Sequence, residues 1–253
     1  MKNLFILLSL SVLFISCDSD DDATTVTPLK LQNKQVRYHN GVFYEIDAIY
    51  NTDFKLDSLI INKFQAGPFY NLTTAQYTDG IITSIREQWD YESTSVTDVD
   101  ITYDVTFDDG LVILTSDTNI IEISHTNGFI DSIVQQNVDF PEFGEITTLT
   151  RDSENNLLTY EFSNGNVINY FSDFDSGKQV SPGGTIIDVT QNHLITFLDL
   201  KVTANNPRTK AQSILGAEPI LRTFSYEYDS DGYVTKTIDP GGVFYLDIFY
   251  IEP

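Results

Sequence analysis

Basic residues are scarce in this 253-residue chain, and that shortage narrows its partners. The sequence has 14 lysines and arginines against 37 aspartates and glutamates, a formal net charge of −23 at pH 7. A chain this acidic is repelled by nucleic-acid phosphates and by anionic membrane surfaces. The charge therefore predicts no nucleic acid as a partner, and it leaves divalent cations and cationic ligands open.

Cysteine and histidine are scarce as well, and catalytic signatures are absent. Cys17 is the single cysteine, and His39, His125 and His193 lie far apart with no metal-ligand spacing. Disulfides and cysteine metal sites are thus excluded, and a histidine metal triad is not expected. No zinc-protease, nucleophile-elbow or phosphate-loop pattern occurs. The sequence predicts a non-enzymatic protein with no catalytic residue, no metal site and no cofactor.

The N-terminus reads as a lipoprotein signal. Lys2 precedes an apolar run from Leu4 to Ile15, which is too short to span a bilayer and is typical of a signal peptide. Phe14 to Cys17 resembles the bacterial lipobox, although Phe14 replaces the usual leucine. That resemblance implies a signal peptide over residues 1–16, cleavage before Cys17, and attachment to the lipid bilayer through acylated Cys17.

An acidic stretch follows the cysteine and helps to predict the cellular location. It consists of Asp18, Ser19, Asp20, Asp21 and Asp22. Clustered like charges make a solvated tether, here residues 17–28, ahead of a β domain over residues 29–253. The stretch resembles the surface-export signal of Bacteroidota lipoproteins, whereas in enterobacteria an aspartate after the cysteine resembles an inner-membrane retention signal. We expect an outer-membrane, lipid-anchored protein that faces the cell exterior.

The rest of the chain is punctuated by hairpin turns. Six Asn-Gly or Asp-Gly dipeptides divide it, at positions 40–41, 79–80, 109–110, 127–128, 164–165 and 231–232. Such pairs accept the positive φ of tight hairpins. Their flanks alternate apolar and polar residues, as in residues 101–107 and 224–228, which is typical of half-buried strands. Irregular spacing between the glycines argues against a strict solenoid or propeller.

These signals predict the fold class. We expect one all-β domain, a single large antiparallel meander of about 12–16 strands that is strongly curved or barrel-like. Asn206, Pro207 and Gly216 predict one short helix near 207–215. Residues 186–202 fit two strands or a helix, and their β-branched content favours strands.

Several features together resemble a Bacteroidota surface lipoprotein family of unknown function with a porin-like β fold. They are the lipobox with its acidic continuation and the tyrosine–aspartate–glycine hairpin units, best seen in Tyr226 to Val234. The resemblance spans Lys30 to Pro253 and implies a fold and a location, with no site residues. A membrane-embedded barrel is disfavoured, because the chain ends Ile251-Glu252-Pro253 rather than on an aromatic strand and an integral barrel needs no lipid anchor.

Two acidic turns offer oxygen atoms to a cation. Asp229 to Gly232 and Asp108 to Gly110 could contribute to a calcium site, but the further acidic ligands of a full loop are missing. Ordinary hairpin chemistry explains both turns, so we predict no metal there.

Trp89, with Tyr91 beside it, is the weak candidate for ligand binding. Aromatic rings next to carboxylates suit sugar binding, whereas packing against the sheet is the commoner role for such rings.

The favoured function is binding or scaffolding with an unknown ligand, and a glycan or an outer-membrane protein is a possible partner. Glycan binding in nutrient capture and glycoside hydrolysis by paired carboxylates stay open as alternatives. A fully buried Trp89 would make Trp89→Ala cost about 3–5 kcal/mol of stability, more than it costs in binding.

Overall fold

The computed structural model describes residues 30–39, 42–64, 69–91, 98–163, 167–175, 193–241 and 244–252. The signal peptide, Cys17, the acidic stretch and the tether fall outside these ranges, as do the dipeptides at 40–41 and 164–165. The expectations for those residues therefore stay predictions.

Within the described ranges, seventeen antiparallel strands form one sheet. The first nine are β1 Leu31–His39, β2 Val42–Tyr50, β3 Leu56–Phe64, β4 Phe69–Thr78, β5 Ile81–Tyr91, β6 Val99–Asp108, β7 Leu111–Thr115, β8 Asn119–Thr126 and β9 Phe129–Asn137. The remaining eight are β10 Glu145–Arg151, β11 Leu157–Phe162, β12 Val167–Asp175, β13 Asn206–Ile214, β14 Ile220–Thr223, β15 Ser225–Tyr228, β16 Val234–Ile238 and β17 Phe244–Ile251. Two short 3₁₀ helices accompany them, Pro141–Phe143 and His193–Leu198. The all-β, barrel-like prediction is confirmed.

The sheet curls into a nearly closed barrel because its first and last strands meet. Each strand from β1 to β13 pairs with the next along the chain, as do β15 with β16 and β16 with β17, and β17 pairs with β1 from Leu31↔Ile251 to His39↔Phe244. The remaining junction is Phe224, which links β14 and β15 end to end. The Phe224 amide donates to the Arg208 carbonyl at 2.7 Å. This stretch therefore pairs with β13 in its first half and with β16 in its second half.

Tight turns make the hairpins, as the dipeptides predict. Asp79 and Gly80 have φ of 52° and 76°, and Asn127 and Gly128 have φ of 52° and 79°. Positive φ at both central positions defines the type I′ turn, whose twist matches that of the flanking strands. Hairpins also lie at the described dipeptides 109–110 and 231–232.

Three hairpins share a five-residue turn that begins with Asn51, Asp152 or Asp229. In each, the side-chain oxygen of the first residue accepts hydrogen bonds from the amides two and four residues later, all at 2.9–3.0 Å. The fourth residue has positive φ, which falls on Phe54 (58°), Asn155 (63°) and Gly232 (82°). Only the last of these turns carries a glycine signal in the sequence.

Alternation along β6 separates inward apolar side chains from outward polar ones. On β6, Tyr103 and Val105 are buried while Thr102, Asp104 and Thr106 are exposed. Ion pairs link neighbouring strands across the outer wall, at Lys34–Glu45, Arg86–Asp100 and Lys236–Asp247. Membrane-spanning barrels have the opposite polarity, with an apolar band facing lipid.

A non-strand segment fills one end of the barrel. This plug, residues 193–205, buries apolar side chains in the same core as the strands: Leu194, Ile195, Phe197, Leu198, Leu200 and Val202. Its backbone is tied to the β8–β9 hairpin, since the Ile130 amide donates to the Lys201 carbonyl at 2.9 Å and the Lys201 amide to the Gly128 carbonyl at 2.8 Å. Thr203 Oγ1 accepts from the Leu157 amide at 3.0 Å. The plug is thus part of the core.

Three sequence predictions need correction. Residues 207–215 form no helix, because β13 runs through them and pairs with β12 from Val167↔Ile214 to Asp175↔Asn206. Residues 193–198, inside the region expected to form strands, make the 3₁₀ helix of the plug, and residues 186–192 lie outside the described ranges. The described strands number seventeen, one above the predicted range of about 12–16, and the stretch from Ile220 to Tyr228 counts twice because Phe224 divides it into β14 and β15.

Candidate functional site

The inward face of the barrel has two halves of different chemistry. The plug half surrounds residues 193–205 and the turns at 51–55, 79–80, 127–128 and 152–156. The far half is the end that carries the β7–β8 and β13–β14 connections. Inward side chains of the plug half are apolar and buried, as with Leu59, Ile85, Val112, Ile123 and Leu157. In the far half, amides, hydroxyls and charges accompany buried apolar side chains such as Leu114 and Ile121.

Four residues on β4 and β5 begin the polar half. Asn71 and Thr73 on β4 are 0 % exposed and lie directly opposite Trp89 and Glu87 on β5. Thr73 Oγ1 donates to Asn71 Oδ1 at 2.9 Å, and Asn71 Nδ2 donates to Glu87 Oε1 at 3.4 Å. Directly opposed residues in an antiparallel pair share a face, so all four point into the barrel.

Trp89 is half-buried rather than fully buried. Its neighbours on the inward face are Asn71 and, on β6, Val99. The condition attached to the 3–5 kcal/mol estimate is therefore not met. Tyr91 is the last residue of β5, and its backbone pairs with Phe69 of β4.

The carboxylate of Glu87 contributes to a shifted pKa at Tyr103, its neighbour on β6. Burial first, and then the charge of Glu87, raise the pKa of Tyr103 to about 12, while a hydrogen bond with Asn119 opposes them. Tyr103 stays neutral at physiological pH and can donate a hydrogen bond. Glu87 therefore lies near Tyr103 on the inward face.

Residues of β12, β13 and β14 form the polar group on another part of the wall. Gln212 Nε2 donates to Asn169 Oδ1 at 3.0 Å, and Asn169 is buried. Lys210 lies opposite the buried Phe171, with its Nζ 6.0 Å from the ring centroid. Arg222 on β14 lies directly opposite Lys210. These side chains face inward in the far half.

Water reaches the interior at the far end. Gln135 lies opposite the buried Ile121, and Ile220 lies opposite Gln212, so both are on the inward face. Gln135 is nevertheless exposed, and Ile220 is 59 % exposed. The inward face is therefore in contact with solvent at the far rim of the barrel.

A second polar cluster lies where β13 and β15 separate, and its side chains connect the two strands. We call it the seam cluster, and it consists of Asp175, Pro207, Arg208, Tyr226 and Tyr228. The Tyr228 hydroxyl donates to the Asp175 carboxylate, and Arg208 Nε lies 3.6 Å from the same Asp175 oxygen. The Tyr226 hydroxyl donates to the Pro207 carbonyl at 2.5 Å. Burial is the main cause that raises the pKa of both tyrosines. These contacts join the two strands by side chains, which indicates a structural role.

The acidic turn at 229–232 uses its carboxylates internally. Asp229 Oδ1 accepts from the amides of Asp231 and Tyr233, and Lys30 Nζ lies 2.8 Å from Asp229 Oδ2 and 2.6 Å from Asp231 Oδ2. Burial opposes ionisation of Asp229, but the hydrogen bonds from Lys30 and the two amides outweigh it and lower the pKa of Asp229. Turn chemistry explains this site. Across the described ranges, no group of three or more histidine, cysteine, aspartate or glutamate residues is placed to hold a metal ion.

Sequence reasoning found Trp89 and Tyr91 but missed the partners around them. Asn71, Thr73 and Glu87 sit on strands whose alternation is visible in the sequence, yet alternation alone does not show which polar residues face inward. Their signal is a polar residue at a position whose strand neighbours, such as Ile85, are buried.

Comparison with known proteins gives a general likeness of fold. No family model and no curated protein matches the chain. Among solved structures, a porin-like protein from Bacteroides vulgatus has a TM-score of 0.47 and 12 % identity over 89 % of this chain and 100 % of its own. A porin-like protein from Bacteroides uniformis has a TM-score of 0.40 and 10 % identity over 87 % of this chain and 98 % of its own. The expected porin-like resemblance thus extends to solved neighbours, while membership of a lipoprotein family stays a prediction. At these scores the likeness assigns no activity.

Proposed function

We propose that this chain is a non-enzymatic binding protein that takes a small polar ligand into the far half of its barrel. The division of the inward face carries the proposal. An apolar, plugged half stabilises the fold, whereas the far half also holds the inward polar side chains Asn71, Glu87, Asn169 and Gln212. Buried amides and carboxylates beside an aromatic ring are typical of sites that orient polar ligands.

Glycan binding is the favoured form of this function. Trp89 offers a ring face for the apolar side of a sugar, and the nearby amides and Glu87 suit its hydroxyl groups. Hydrolysis of a glycan is less well supported, because it requires a second carboxyl group about 5–10 Å from the first. Glu87 is the one carboxylate in the group on β4 and β5, which also contains Asn71, Thr73 and Trp89. The amide pair on β12 and β13, Asn169 and Gln212, adds none.

We further propose that acylated Cys17 anchors the barrel to the outer membrane with its plug end towards the bilayer. The Lys30 ion pairs with Asp229 and Asp231 hold the start of β1 at the plug end. The segment from Cys17 to Lys30 can reach at most about 45 Å, so the far end would point away from the membrane. The polar outer wall supports a position outside the lipid, and within the described ranges no helix is long and apolar enough to cross a membrane.

Trp89 provides the binding assay, because it is the only tryptophan in the chain. We expect its fluorescence to change with a member of an oligosaccharide array. Asn169→Ala should weaken that response at least about tenfold, a loss of about 1.4 kcal/mol. Tyr170→Ala is the matched control, since Tyr170 is the next residue of β12 and is exposed on the outer wall. Equal effects of the two variants, or no response across the array, would refute binding in the far half.

The anchor is tested separately from binding. Cys17→Ala should release the protein from membranes, and alanine at positions 20–22 should reduce its surface exposure without preventing acylation. Complete protection from added protease in intact cells, with digestion after lysis, would contradict the outward orientation.

A further inference from the structure

Three large apolar side chains are exposed on the outer wall at the plug end. They are Ile49 near the end of β2, Phe54 in the turn that follows, and Ile81 at the start of β5, and they are 47 %, 53 % and 59 % exposed. Lys55 Nζ donates to the Gly80 carbonyl, and this bond connects the turn of Phe54 to the turn that precedes Ile81. We call Ile49, Phe54 and Ile81 the rim patch.

Phe54 keeps its ring in an unfavourable backbone conformation. Its φ is 58°, and the equivalent position of the other two five-residue turns holds Asn155 or Gly232, which tolerate a positive φ better. More than half of the surface of Phe54 is in contact with solvent, so packing within the barrel does not account for the ring. Residues kept against such strain are concentrated at functional sites.

The chain leading into β1 indicates what covers this patch. Exposure alone does not identify the occupant, since Leu215 at the far end is 76 % exposed with φ of 52°. β1 begins at Leu31 between β17 and β2, and the Tyr50 hydroxyl donates to the Gln32 carbonyl at 2.7 Å. The segment that carries Cys17 therefore reaches the barrel beside β2 and the rim patch.

We propose that the rim patch rests in the headgroup region of the membrane that holds acylated Cys17. The inference rests on the proposed anchor and deepens it, because it names the side chains that meet the lipid. Apolar side chains of this kind enter the boundary between headgroups and acyl chains by about 5–10 Å. This second point of contact fixes the orientation of the barrel, with the far end directed away from the bilayer. Asp53 and Asp79 flank the patch and are exposed, so a zwitterionic lipid surface suits it better than an anionic one.

Tryptophan reporters at the two ends of the barrel test this contact. In a Trp89→Phe background, Phe54→Trp places the one tryptophan in the rim patch, and Leu215→Trp places it at an exposed far-end position of similar φ. Each acylated protein is incorporated into phosphatidylcholine vesicles whose acyl chains carry bromine, which quenches tryptophan emission. We expect the rim reporter to lose most of its emission and the far-end reporter to keep it. Ile81→Trp, at a strand position, is a second rim reporter, and circular dichroism checks that each variant is folded.

Flotation of the same vesicles tests the anchor separately from the lipid contact. Wild type that floats and Cys17→Ala that stays behind support the anchor. Floating protein in which neither rim reporter is quenched, or in which the far-end reporter is quenched equally, overturns the lipid contact while the anchor stands. Wild-type protein that does not float overturns both.

Discussion

The plug half and the far half of the barrel are built from the same strands, yet their interiors are packed by different rules. On β5, Ile85 is 0 % exposed among apolar neighbours and the plug, whereas Trp89, four residues further on the same face, is half-buried beside Asn71. In the plug half the inward residues stabilise the fold. In the far half they retain polar groups at some cost in stability, which is typical of a site kept for binding.

Alkaline pH should have the largest effect, and it should act through the plug end. Burial raises the pKa of Tyr50 to about 12, and it raises the pKa of Tyr228 and Tyr250 as well. Because each folded pKa lies above the unfolded value of about 10, the stabilisation is complete below pH 10 and is lost as pH rises through the folded pKa. We expect cooperative unfolding in the region of pH 11–12, followed by circular dichroism and tyrosinate absorbance. Tyrosinate absorbance that completes its rise before the strand signal falls would show that these side chains ionise in the native barrel.

Truncation of the two inward residues of β5 tests the comparison directly. Ile85→Ala should cost about 3 kcal/mol, because it leaves a cavity that neighbours cannot fill. Trp89→Ala should cost less, about 1–2 kcal/mol, since part of the ring is already in contact with water. Denaturant unfolding measures both. If the tryptophan variant loses as much stability as the isoleucine variant, the far half is packed like the plug half and the ligand site loses its support.

Removal of one hydroxyl from the seam cluster should have a smaller effect. Tyr228→Phe takes away the hydrogen bond that Asp175 accepts, and we expect a loss of about 1–2 kcal/mol. Gln212→Ala in the far half removes an amide hydrogen bond near water and should cost under about 1 kcal/mol. Thermal unfolding of the two variants compares the Tyr228–Asp175 hydrogen bond of the seam cluster with the Gln212–Asn169 hydrogen bond of the far half. A larger loss for the glutamine variant would reverse the assignment of the two regions.

The smallest predicted change is a gain in stability at a plug-end turn. Phe54 has φ of 58° and is 53 % exposed, a conformation that costs a side chain other than glycine about 1–2 kcal/mol. Phe54→Gly should therefore stabilise the barrel by about 1 kcal/mol, seen as a higher Tm. Asn155→Gly at the equivalent position should gain less, because asparagine tolerates this conformation. Loss of stability in the phenylalanine variant would indicate that its ring contributes contacts that outweigh the strain.

The sequence predicted most of the wall and little of the interior. Alternation and the Asp79-Gly80 and Asn127-Gly128 turns were enough to identify antiparallel hairpins, because both signals are local. The helix expected near 207–215 was wrong because Asn206, Pro207 and Gly216 resemble helix boundaries. Pairing of the whole segment with β12 overrides that local preference.

The candidate site was hard to predict for a different reason. Glu87 and Arg86 are adjacent and both charged, yet one faces the interior and the other bonds Asp100 on the outer wall. Period-two alternation shows which residues share a face of the sheet. It does not show which face lies inside the barrel when both faces carry polar residues. That assignment requires knowledge of the barrel's closure, which depends on contacts between strands far apart in the chain.

The pairing of β1 with β17 also determines the order in which the protein can be made. Neighbouring hairpins can form as soon as both of their strands have been synthesised, since they close short loops. Leu31 pairs with Ile251, so the ring can close only after almost the whole chain has arrived. Until then the edge of β1 remains unpaired and prone to aggregate. Folding should therefore include a late, slow closing step, and a chain that stalls before β17 should depend on a chaperone to shield that edge.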